Sequence, residues 1–391
     1  MCLKRLRMRQ KHKNGNNPSK ILSIVGARPN YIKLAAVYEV FSEFFDHVVV
    51  DTGQHYDYEM NRVFFEQLEI PEPDYFLGVG SGSHGYQVGE VVKRVEEVLL
   101  RERPDLVVVY GDTNSTLGGA LAAVKAGFRV AHVEAGLRCF DMSMPEEVNR
   151  RVVDHVSHLL FAPTESARRN LLAERVPGAV YLTGDVHVRA LRKWLPVAEE
   201  RSRVLERLGL EPGYVVVTVH RAENVDDPGR LSRVAHLVAG LAGRARVVFP
   251  VHPRTRKRLT EAGLWETLER SGAVLTEPLG YLDFLKLLNN SGLVVTDSGG
   301  VQREASLLRK PVVVLRKVTE WVELVEAGLA LLRDPEGDLD PGAILSWRPR
   351  QFVEGLLGDE RAPERIAEAM RKYLEGVRSG SSPGSGFSRL G

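Results

Sequence analysis

The sequence predicts an α/β fold with two Rossmann-like domains whose parallel sheets face a cleft. Short β-branched runs alternate with segments of helical periodicity along the chain, which is typical of doubly wound parallel sheets. The chain has 391 residues, which suffice for two domains of about 150–200 residues each. Its 43% hydrophobic and 27% charged residues indicate a globular protein and exclude a largely disordered or collagenous one.

The apolar runs are expected to be buried strands, and the amphipathic segments between them helices. In the first half, strands are expected at residues 21–25, 48–51, 106–110, 130–133, 159–162 and 180–183, with helices over 88–102 and 116–126. In the second half, strands are expected at 214–218, 246–250, 274–275, 293–296 and 311–315, with helices near 228–242, 281–289 and 301–308. The segment 184–212 is the expected boundary region, and we place the domains at 20–185 and 186–359.

The two ends of the chain differ from its body. Residues 1–20 hold seven Lys or Arg and no acid, whereas the remainder has 46 basic and 51 acidic residues. A nucleic-acid-binding arm is one interpretation of this leader, but we favour a disordered basic extension over 1–19 and expect no nucleic-acid partner. Residues 376–391 are mostly Gly and Ser and are expected to form a disordered tail.

Several classes of protein are excluded by what the sequence lacks. No aliphatic run approaches the ~18 residues of a membrane span, so no membrane partner is expected. Two cysteines, Cys2 and Cys139, cannot form a disulfide framework, which favours the cytoplasm. No Cys/His spacing indicates zinc, and no Gly-x-Gly-x-x-Gly or Walker loop is present, so neither a metal nor a cofactor is predicted.

Polar residues that directly follow predicted strands are candidate site residues, because ligands of open α/β sheets bind beyond the carboxyl ends of strands. Arg28 lies beside a predicted helix N-terminus, which favours anions, and Lys33 follows one turn later; a capped helix with a surface Arg is the alternative. Asp112 is either a helix N-cap or a catalytic carboxylate. Glu134 is either a site residue or half of an internal ion pair with Arg138.

Two further segments carry charges where a helix begins or a strand ends. Glu146, Glu147 and Arg150 open a predicted helix, where acids can also serve as simple caps. His220 ends the first strand of the second half, although a lone histidine is more often a satisfied core residue.

The segment TDSGGVQRE (296–304) is the most informative motif. Ser298, Gly299 and Gly300 form a turn between a strand and a helix, where free N–H groups and the helix dipole cradle phosphate. Glu304 lies about one turn into that helix, within reach of ribose hydroxyls if a nucleotide binds there. A glycine turn followed by a solvated Glu is the alternative.

Ten segments together resemble the non-hydrolysing UDP-N-acetylglucosamine 2-epimerases. They are GARPNYIK (26–33), DTGQH (51–55), GDTNSTLGGALAA (111–123), HVEAGLR (132–138), PEEVNR (145–150), FAPTE (161–165), VTVHRAEN (217–224), FPVHPRT (249–255), EPLGYLDFLKLL (277–288) and TDSGGVQREA (296–305). The resemblance implies a glycosyltransferase-B-type fold, a C-terminal helix near 360–375 that completes the first domain, and a homodimer.

The resemblance also implies a reaction. Members of this family interconvert UDP-N-acetylglucosamine and UDP-N-acetylmannosamine by anti elimination of UDP and its re-addition to an enzyme-bound 2-acetamidoglucal, without a redox cofactor. By resemblance, Asp112, Glu134 and Glu146 form the acid/base cluster, and His220 is a partner of the leaving phosphate or a proton donor. Diphosphate and sugar are assigned to Arg28, Lys33, Arg150, Ser298, Gly299 and Gly300, ribose to Glu304, the uracil or phosphate side to Arg316, and a further substrate contact to His252.

One departure from the family pattern bears on the substrate. Residues 319–323 read TEWVE where many members have TERPE, and this version is similar to relatives that act on modified UDP-sugars such as UDP-2,3-diacetamido-glucuronate. Epimerisation of such a sugar is therefore an alternative. A hydrolysing epimerase that releases N-acetylmannosamine, a glycosyltransferase of the same fold and a non-catalytic UDP-sugar sensor are others. The presence of Asp112, Glu134, Glu146 and His220 favours a catalyst.

Overall fold

The computed structural model describes residues 18–54 and 65–379. Most of the basic extension, His55 and the tail from residue 380 lie outside the described residues. The strands are β1 Lys20–Val25, β2 Asp46–Asp51, β3 Tyr75–Phe76, β4 Leu106–Tyr110, β5 Val130–Val133, β6 Leu159–Ala162, β7 Ala179–Leu182, β8 Val215–Thr218, β9 Val247–Pro250, β10 Val274–Thr276, β11 Leu293–Thr296, β12 Val312–Val314 and β13 Ala330–Leu332.

Helices follow most of these strands. They are α1 Arg28–Phe44, α2 His84–Glu102, α3 Asn114–Lys125, α4 Pro145–Val156, α5 Glu165–Ala173, α6 Val186–Arg201, α7 Val204–Leu208, α8 Ala222–Val225, α9 Pro228–Ala242, α10 Pro253–Glu261, α11 Trp265–Arg270, α12 Tyr281–Asn289, α13 Gly299–Leu307, α14 Val322–Glu326, α15 Pro341–Ser346 and α16 Ala362–Arg378.

Within the described residues, the strands form two parallel sheets. One has seven strands in the order β3-β2-β1-β4-β5-β6-β7, and the other has six in the order β10-β9-β8-β11-β12-β13. Every strand pair is parallel. The central strands are buried on both faces, as in β4, where all five residues are buried. The predicted α/β class with two parallel sheets is confirmed.

The chain divides into two compact units. The first runs to Ala190 and resumes at Leu357, and the second comprises Leu191–Leu356. In the first unit, α16 packs against α1. Each unit has a core of aliphatic side chains from its own strands and helices. Within the described residues, no helix is long and apolar enough to span a membrane.

The strand order places the candidate site residues. In each sheet the order reverses between two neighbouring strands, β1 and β4 in the first unit and β8 and β11 in the second. Loops that follow such strands diverge to opposite faces and leave room for a ligand at the carboxyl ends. Arg28 and Asp112 follow β1 and β4, and His220 and Ser298 follow β8 and β11.

A buried carboxylate at the end of β2 makes stability depend on pH. The hydroxyl of Tyr31 and the N–H of Gly53 donate hydrogen bonds to Asp51, which is 1% exposed. Burial raises the pKa of Asp51 to about 6, although these two donors oppose the rise. The native state therefore holds the Asp51 proton at pH values where the unfolded chain has lost it.

We expect the variant Asp51→Asn to remove this pH dependence. The stability that wild-type protein derives from protonated Asp51 is complete below about pH 4 and is lost as the pH rises to about 6. The free energy of unfolding of wild type relative to the variant should therefore fall by about 3 kcal/mol between these values and stay constant above them. Urea unfolding from pH 4 to 8 measures it, and a flat difference would contradict the assignment.

Candidate active site

Three predicted carboxylates and two predicted cations come together in the first unit. Lys33 Nζ lies 2.7 Å from Glu134 Oε1, and Arg150 Nη1 lies 3.0 Å from Asp112 Oδ2. Glu134 and Glu146 are both close enough to Asp112 to affect its ionisation. Lys33, Glu134 and Arg150 are buried, whereas Asp112 and Glu146 are partly exposed. The expected juxtaposition of these five side chains is therefore present.

The backbone around the Lys33–Glu134 pair is unusual in two places. Gly111 has a φ of +63°, and a Cβ at this position would lie 2.5 Å from Lys33 Nζ. The positive φ favours glycine, and any side chain would force the ammonium group to move. Glu134 itself has a φ of +71°, which is uncommon for a residue with a side chain and is held by its surroundings. Strain of this kind concentrates at functional sites.

Asp112 has the electrostatics of a group that exchanges protons. Burial raises its pKa, Arg150 and Lys33 lower it, and the negative charges of Glu146 and Glu134 raise it again; the net shift is upward. A carboxyl with a raised pKa near other carboxylates can hold a proton while a neighbour accepts one.

The adjacent acids at the start of α4 have different roles. Glu147 is fully buried, and its carboxylate accepts hydrogen bonds from the backbone N–H groups of Cys139 and Phe140. It also pairs with Arg150 at 3.2 Å. Glu147 therefore holds the preceding loop, whereas Glu146 faces the carboxylate cluster.

A buried network that sequence reasoning did not single out supports the cluster. His132 Nδ1 lies 2.7 Å from Asp154 Oδ1, and Nε2 lies 2.7 Å from the carbonyl oxygen of Gly111. Arg138 pairs with Asp154 at 2.7 Å and with Glu174 at 2.7 Å. Arg138 therefore belongs to this network, and the ion pair suggested between Arg138 and Glu134 is replaced by one between Lys33 and Glu134.

The charges and hydrogen bonds of this network lower the pKa of Asp154 and place a proton on His132. Burial alone would raise the pKa of Asp154, but His132 and Arg138 hold it below its ordinary value. Because a carbonyl oxygen only accepts hydrogen bonds, His132 Nε2 carries a proton where it meets Gly111. The ring thus ties the end of β5 to the residue before Asp112.

A second missed pair lies beside Glu134. Asp185 and His187 are both buried at the start of α6, and their ligand-type atoms and that of Glu134 lie within 4.8 Å of one another. Carboxylate and imidazole are common metal ligands, so these three residues form the one potential metal-binding group found among the described residues. The absence of a resident metal stays a prediction.

In the second unit, Asp297 organises the ends of β8 and β11. It is fully buried and accepts hydrogen bonds from the backbone N–H groups of His220 and Arg221 and from the side chain of Asn224. His220 Nδ1 lies 3.4 Å from Asp297 Oδ1, and its side chain is 43% exposed. The ring of His252 lies 5.9 Å from that of His220. His220 is thus an accessible histidine held by a carboxylate, and not a core residue.

The predicted phosphate cradle is a helix N-terminus. Ser298 is the N-cap of α13, and its hydroxyl accepts a hydrogen bond from the N–H of Val301. A Cβ on Gly299 would lie 2.0 Å from Glu320 Oε1, whereas one on Gly300 would have no neighbour closer than 3.9 Å. A side chain at Gly299 would therefore displace the Glu320 carboxylate, whereas Gly300 leaves open space at the helix N-terminus.

The other predicted binding residues have well-defined places. Glu304 is buried within α13, one turn from the cradle. Arg316 is 1% exposed, and its Nη1 lies 2.7 Å from Glu320 Oε2. Arg28 is the first residue of α1 and is partly exposed. Beside the departure at 319–323, the guanidinium of Arg303 lies 4.7 Å above the ring of Trp321.

Some of the missed residues find their partners only through the fold. Asp154 and Asp297 contact residues far away in the chain, whereas Asp185 and His187 are two residues apart and Glu320 pairs with Arg316 four residues earlier. His132 and Asp154, for example, are 22 residues apart in the chain. The only local signal was a buried polar residue close after a predicted strand, which applied to Asp297 directly and to Asp185 after one intervening glycine.

Comparisons with known proteins identify the family. A family model described as UDP-N-acetylglucosamine 2-epimerase matches residues 41–371. A UDP-N-acetylglucosamine 2-epimerase homolog of Methanococcus maripaludis is 48% identical over 356 residues, covering 90% of this chain and 99% of the relative. A UDP-2,3-diacetamido-2,3-dideoxy-D-glucuronate 2-epimerase of Pseudomonas aeruginosa is 42% identical over 361 residues, covering 90% and 99%.

A solved structure agrees with these matches. The crystal structure of Methanocaldococcus jannaschii UDP-GlcNAc 2-epimerase in complex with UDP-GlcNAc and UDP matches with a TM-score of 0.83 and 40% identity, covering 91% of this chain and 100% of that one. The expected fold of two Rossmann-like domains is confirmed by this likeness. The chain belongs to the UDP-N-acetylglucosamine 2-epimerase family.

Proposed function

We propose that this protein is a non-hydrolysing epimerase that inverts carbon 2 of UDP-N-acetylglucosamine to form UDP-N-acetylmannosamine. The observation that carries the proposal is the cluster of Asp112, Glu134 and Glu146 around Lys33 and Arg150 at the carboxyl ends of β4 and β5. Removal of a weakly acidic proton needs a positioned base, and a carboxylate cluster with a raised pKa supplies both a base and an acid.

The reaction proceeds by elimination and re-addition. A carboxylate takes the proton from carbon 2, the electron pair of that C–H bond becomes the carbon 1–carbon 2 double bond, and the carbon 1–oxygen bond breaks with its electrons leaving on UDP. The product is 2-acetamidoglucal. Re-addition of UDP to carbon 1 and of a proton to the other face of carbon 2 completes the inversion.

The residues of the second unit suit the leaving group. The N-terminus of α13 at Ser298, Gly299 and Gly300 has the N–H groups and dipole that bind diphosphate. We assign His220 as a partner of the leaving phosphate or a proton donor, because Asp297 orients its ring while leaving it accessible. We assign Glu304 to ribose, and Arg28, His252 and Arg316 to further contacts with the UDP-sugar.

Proton NMR of the purified protein with UDP-N-acetylglucosamine in deuterated water tests this function. We expect UDP-N-acetylmannosamine to appear with deuterium at carbon 2, because the returning proton comes from groups that exchange with solvent. Free N-acetylmannosamine without the UDP-sugar would indicate a hydrolysing epimerase. No change in the substrate signals would rule out UDP-N-acetylglucosamine.

A modified UDP-sugar is the second candidate substrate. The Pseudomonas aeruginosa relative named as a UDP-2,3-diacetamido-2,3-dideoxy-D-glucuronate 2-epimerase is 42% identical to this chain. The residues at 319–323 also depart from the common family pattern, and Trp321 there is buried against Arg303. The same NMR experiment with the diacetamido-glucuronate distinguishes the two substrates. A homodimer and a cytoplasmic location are further proposals, supported by the family resemblance.

A further inference from the structure

Glu147 is a buried carboxylate whose two oxygens are both held by donors. Its Oε2 atom accepts a hydrogen bond of 3.1 Å from the backbone N–H of Cys139, and its Oε1 atom accepts one of 3.2 Å from that of Phe140. Oε2 also lies 3.2 Å from Arg150 Nη2, and Oε1 lies 3.2 Å from Arg151 Nε. The side chain is 0% exposed. These contacts fix the position of the carboxylate in the first unit.

Arg150 divides its two terminal nitrogens between two carboxylates. Its Nη1 atom lies 3.0 Å from Asp112 Oδ2, and its Nη2 atom lies 3.2 Å from Glu147 Oε2. Nη2 also lies 3.7 Å from Cys139 Sγ. Because a guanidinium is planar and rigid, a contact that fixes Nη2 also fixes the direction of Nη1. Glu147 therefore sets the orientation in which Arg150 meets Asp112.

Helix α4 also holds the backbone of Asp112. The side chain of Asn149, the residue before Arg150, donates a hydrogen bond of 2.8 Å to the carbonyl oxygen of Asp112. Glu147 and Arg150 are three residues apart on this helix and therefore share one of its faces. The Asp112 side chain is 27% exposed, whereas that of Arg150 is 2% exposed. Arg150 is thus placed to act on Asp112, and Asp112 is the member of the pair that a substrate can reach.

The single contact between Arg150 and Asp112 has a chemical consequence. Arginine commonly binds one carboxylate through two parallel N–H···O bonds, which would occupy both of its oxygens. Here the second nitrogen is engaged by Glu147, so the ion pair involves Asp112 Oδ2 and not Oδ1. A carboxylate that exchanges a proton with carbon 2 needs an oxygen that can approach it in a fixed direction.

We propose that Glu147 is a positioning residue that holds Arg150 in a one-nitrogen contact with Asp112 and so keeps Asp112 Oδ1 for proton exchange with the sugar. Without the charge of Glu147, the guanidinium is free to turn and to engage both oxygens of Asp112. This inference rests on the proposed function, in which Asp112 belongs to the acid/base cluster.

The variant Glu147→Gln tests the proposal, because it keeps the shape of the side chain and removes its charge. We measure kcat and KM for UDP-N-acetylglucosamine, and the affinity for UDP by calorimetry. A misplaced acid or base should lower kcat by about 10–100-fold. KM and the affinity for UDP should stay within about twofold, because the lost interaction acts on the chemical step. A folded variant with wild-type kcat overturns the proposal.

Glu165→Gln is the matched control. Glu165 Oε1 lies 3.1 Å from Arg168 Nη1 with the same spacing of three residues along a helix, but its side chain is 51% exposed. The control removes the same charge from the same kind of pair outside the carboxylate cluster. Its kcat and KM should match wild type.

The double variant Glu147→Gln, Asp112→Asn separates positioning from a general structural effect. If Glu147 acts through Asp112, kcat of the double variant should equal that of Asp112→Asn within about twofold. If the two losses multiply, Glu147 acts elsewhere and the proposal is wrong. Asp112→Asn alone separates the two levels. Normal turnover by Asp112→Asn would remove the proposed role of Asp112 as well, whereas loss of turnover in Asp112→Asn with normal turnover in Glu147→Gln would overturn this inference alone.

Arg150→Lys provides another variant in case Glu147→Gln does not fold. Lysine keeps the positive charge, but a single ammonium group cannot hold the two carboxylates in the arrangement of a planar guanidinium. We expect kcat to fall by about 10–100-fold, as in Glu147→Gln, with KM within about twofold. A raised KM with unchanged kcat would place Arg150 on the substrate and would contradict the proposal.

Discussion

Replacing Asp112 by Asn is expected to lower kcat by about 10²–10⁴-fold, the usual contribution of a general acid or base. Asn has nearly the same shape and can still accept a hydrogen bond from Arg150, so the site geometry should persist. It cannot, however, take or deliver a proton. The raised pKa of Asp112, which burial causes and Arg150 and Lys33 only partly offset, is the property that the substitution removes.

The readouts for Asp112→Asn separate chemistry from binding. Turnover of the UDP-sugar is followed by NMR, and the affinity for UDP is measured by calorimetry. We expect the affinity to stay within about twofold, because a helix N-terminus in the second unit is assigned to diphosphate. The control is Asp338→Asn, the same chemical change on an exposed aspartate. Near-normal turnover by Asp112→Asn would remove Asp112 from the acid/base cluster.

Asp154→Asn is expected to lower the free energy of unfolding by about 3–5 kcal/mol, because it removes a buried carboxylate that pairs with Arg138 and contacts His132. Asp154 is fully buried between His132 and Arg138, at 2.7 Å from each. The native pKa of Asp154 is held below its ordinary value despite burial. Its contribution to stability is therefore complete above the ordinary aspartate pKa and is lost as the pH falls through the lowered native value.

Chemical denaturation at pH 7 measures this loss, and Glu165→Gln is the matched control. Glu165 also pairs with an arginine, Arg168 at 3.1 Å, but its side chain is 51% exposed. Exposed ion pairs contribute about 0–1 kcal/mol, so the control should be nearly neutral. A loss below about 1 kcal/mol for Asp154→Asn would mean that the buried network does not hold the first unit together.

The sequence predicted the elements that carry strong local signals. Continuous runs of β-branched residues predict buried strands such as β4. The N-cap Ser298 and the glycines after it predict the helix that follows. The strand β3 was missed because two residues cannot establish a period, and β13 was missed although the equally short β10 and β12 were predicted. Several helices also begin earlier than expected, for example α2 at His84, where Ser83 supplies the cap.

The site was predictable only in part, for a physical reason. Asp112 and Glu134 could be found because they directly follow apolar strands. The ion-pair partners of the charged residues could not be predicted, because they depend on which elements pack together. Lys33 reaches Glu134 from a helix about 100 positions earlier, and Arg138 pairs with Asp154. Contacts of this kind depend on the topology of the fold, so they produce no periodic pattern in the sequence.

The interrupted course of the first unit has a consequence for synthesis on the ribosome. Its last part, from Leu357 onward, is made after the entire second unit. The carbonyl oxygen of Leu357 accepts the N–H of Asp185, and Arg365 donates to the carbonyl oxygen of Thr183. Until that segment has emerged, these groups at the entrance to α6 lack their native partners. The second unit can therefore finish folding before the first, because the first unit lacks its final helix until synthesis is almost complete. The unit that begins first along the chain is thus completed last.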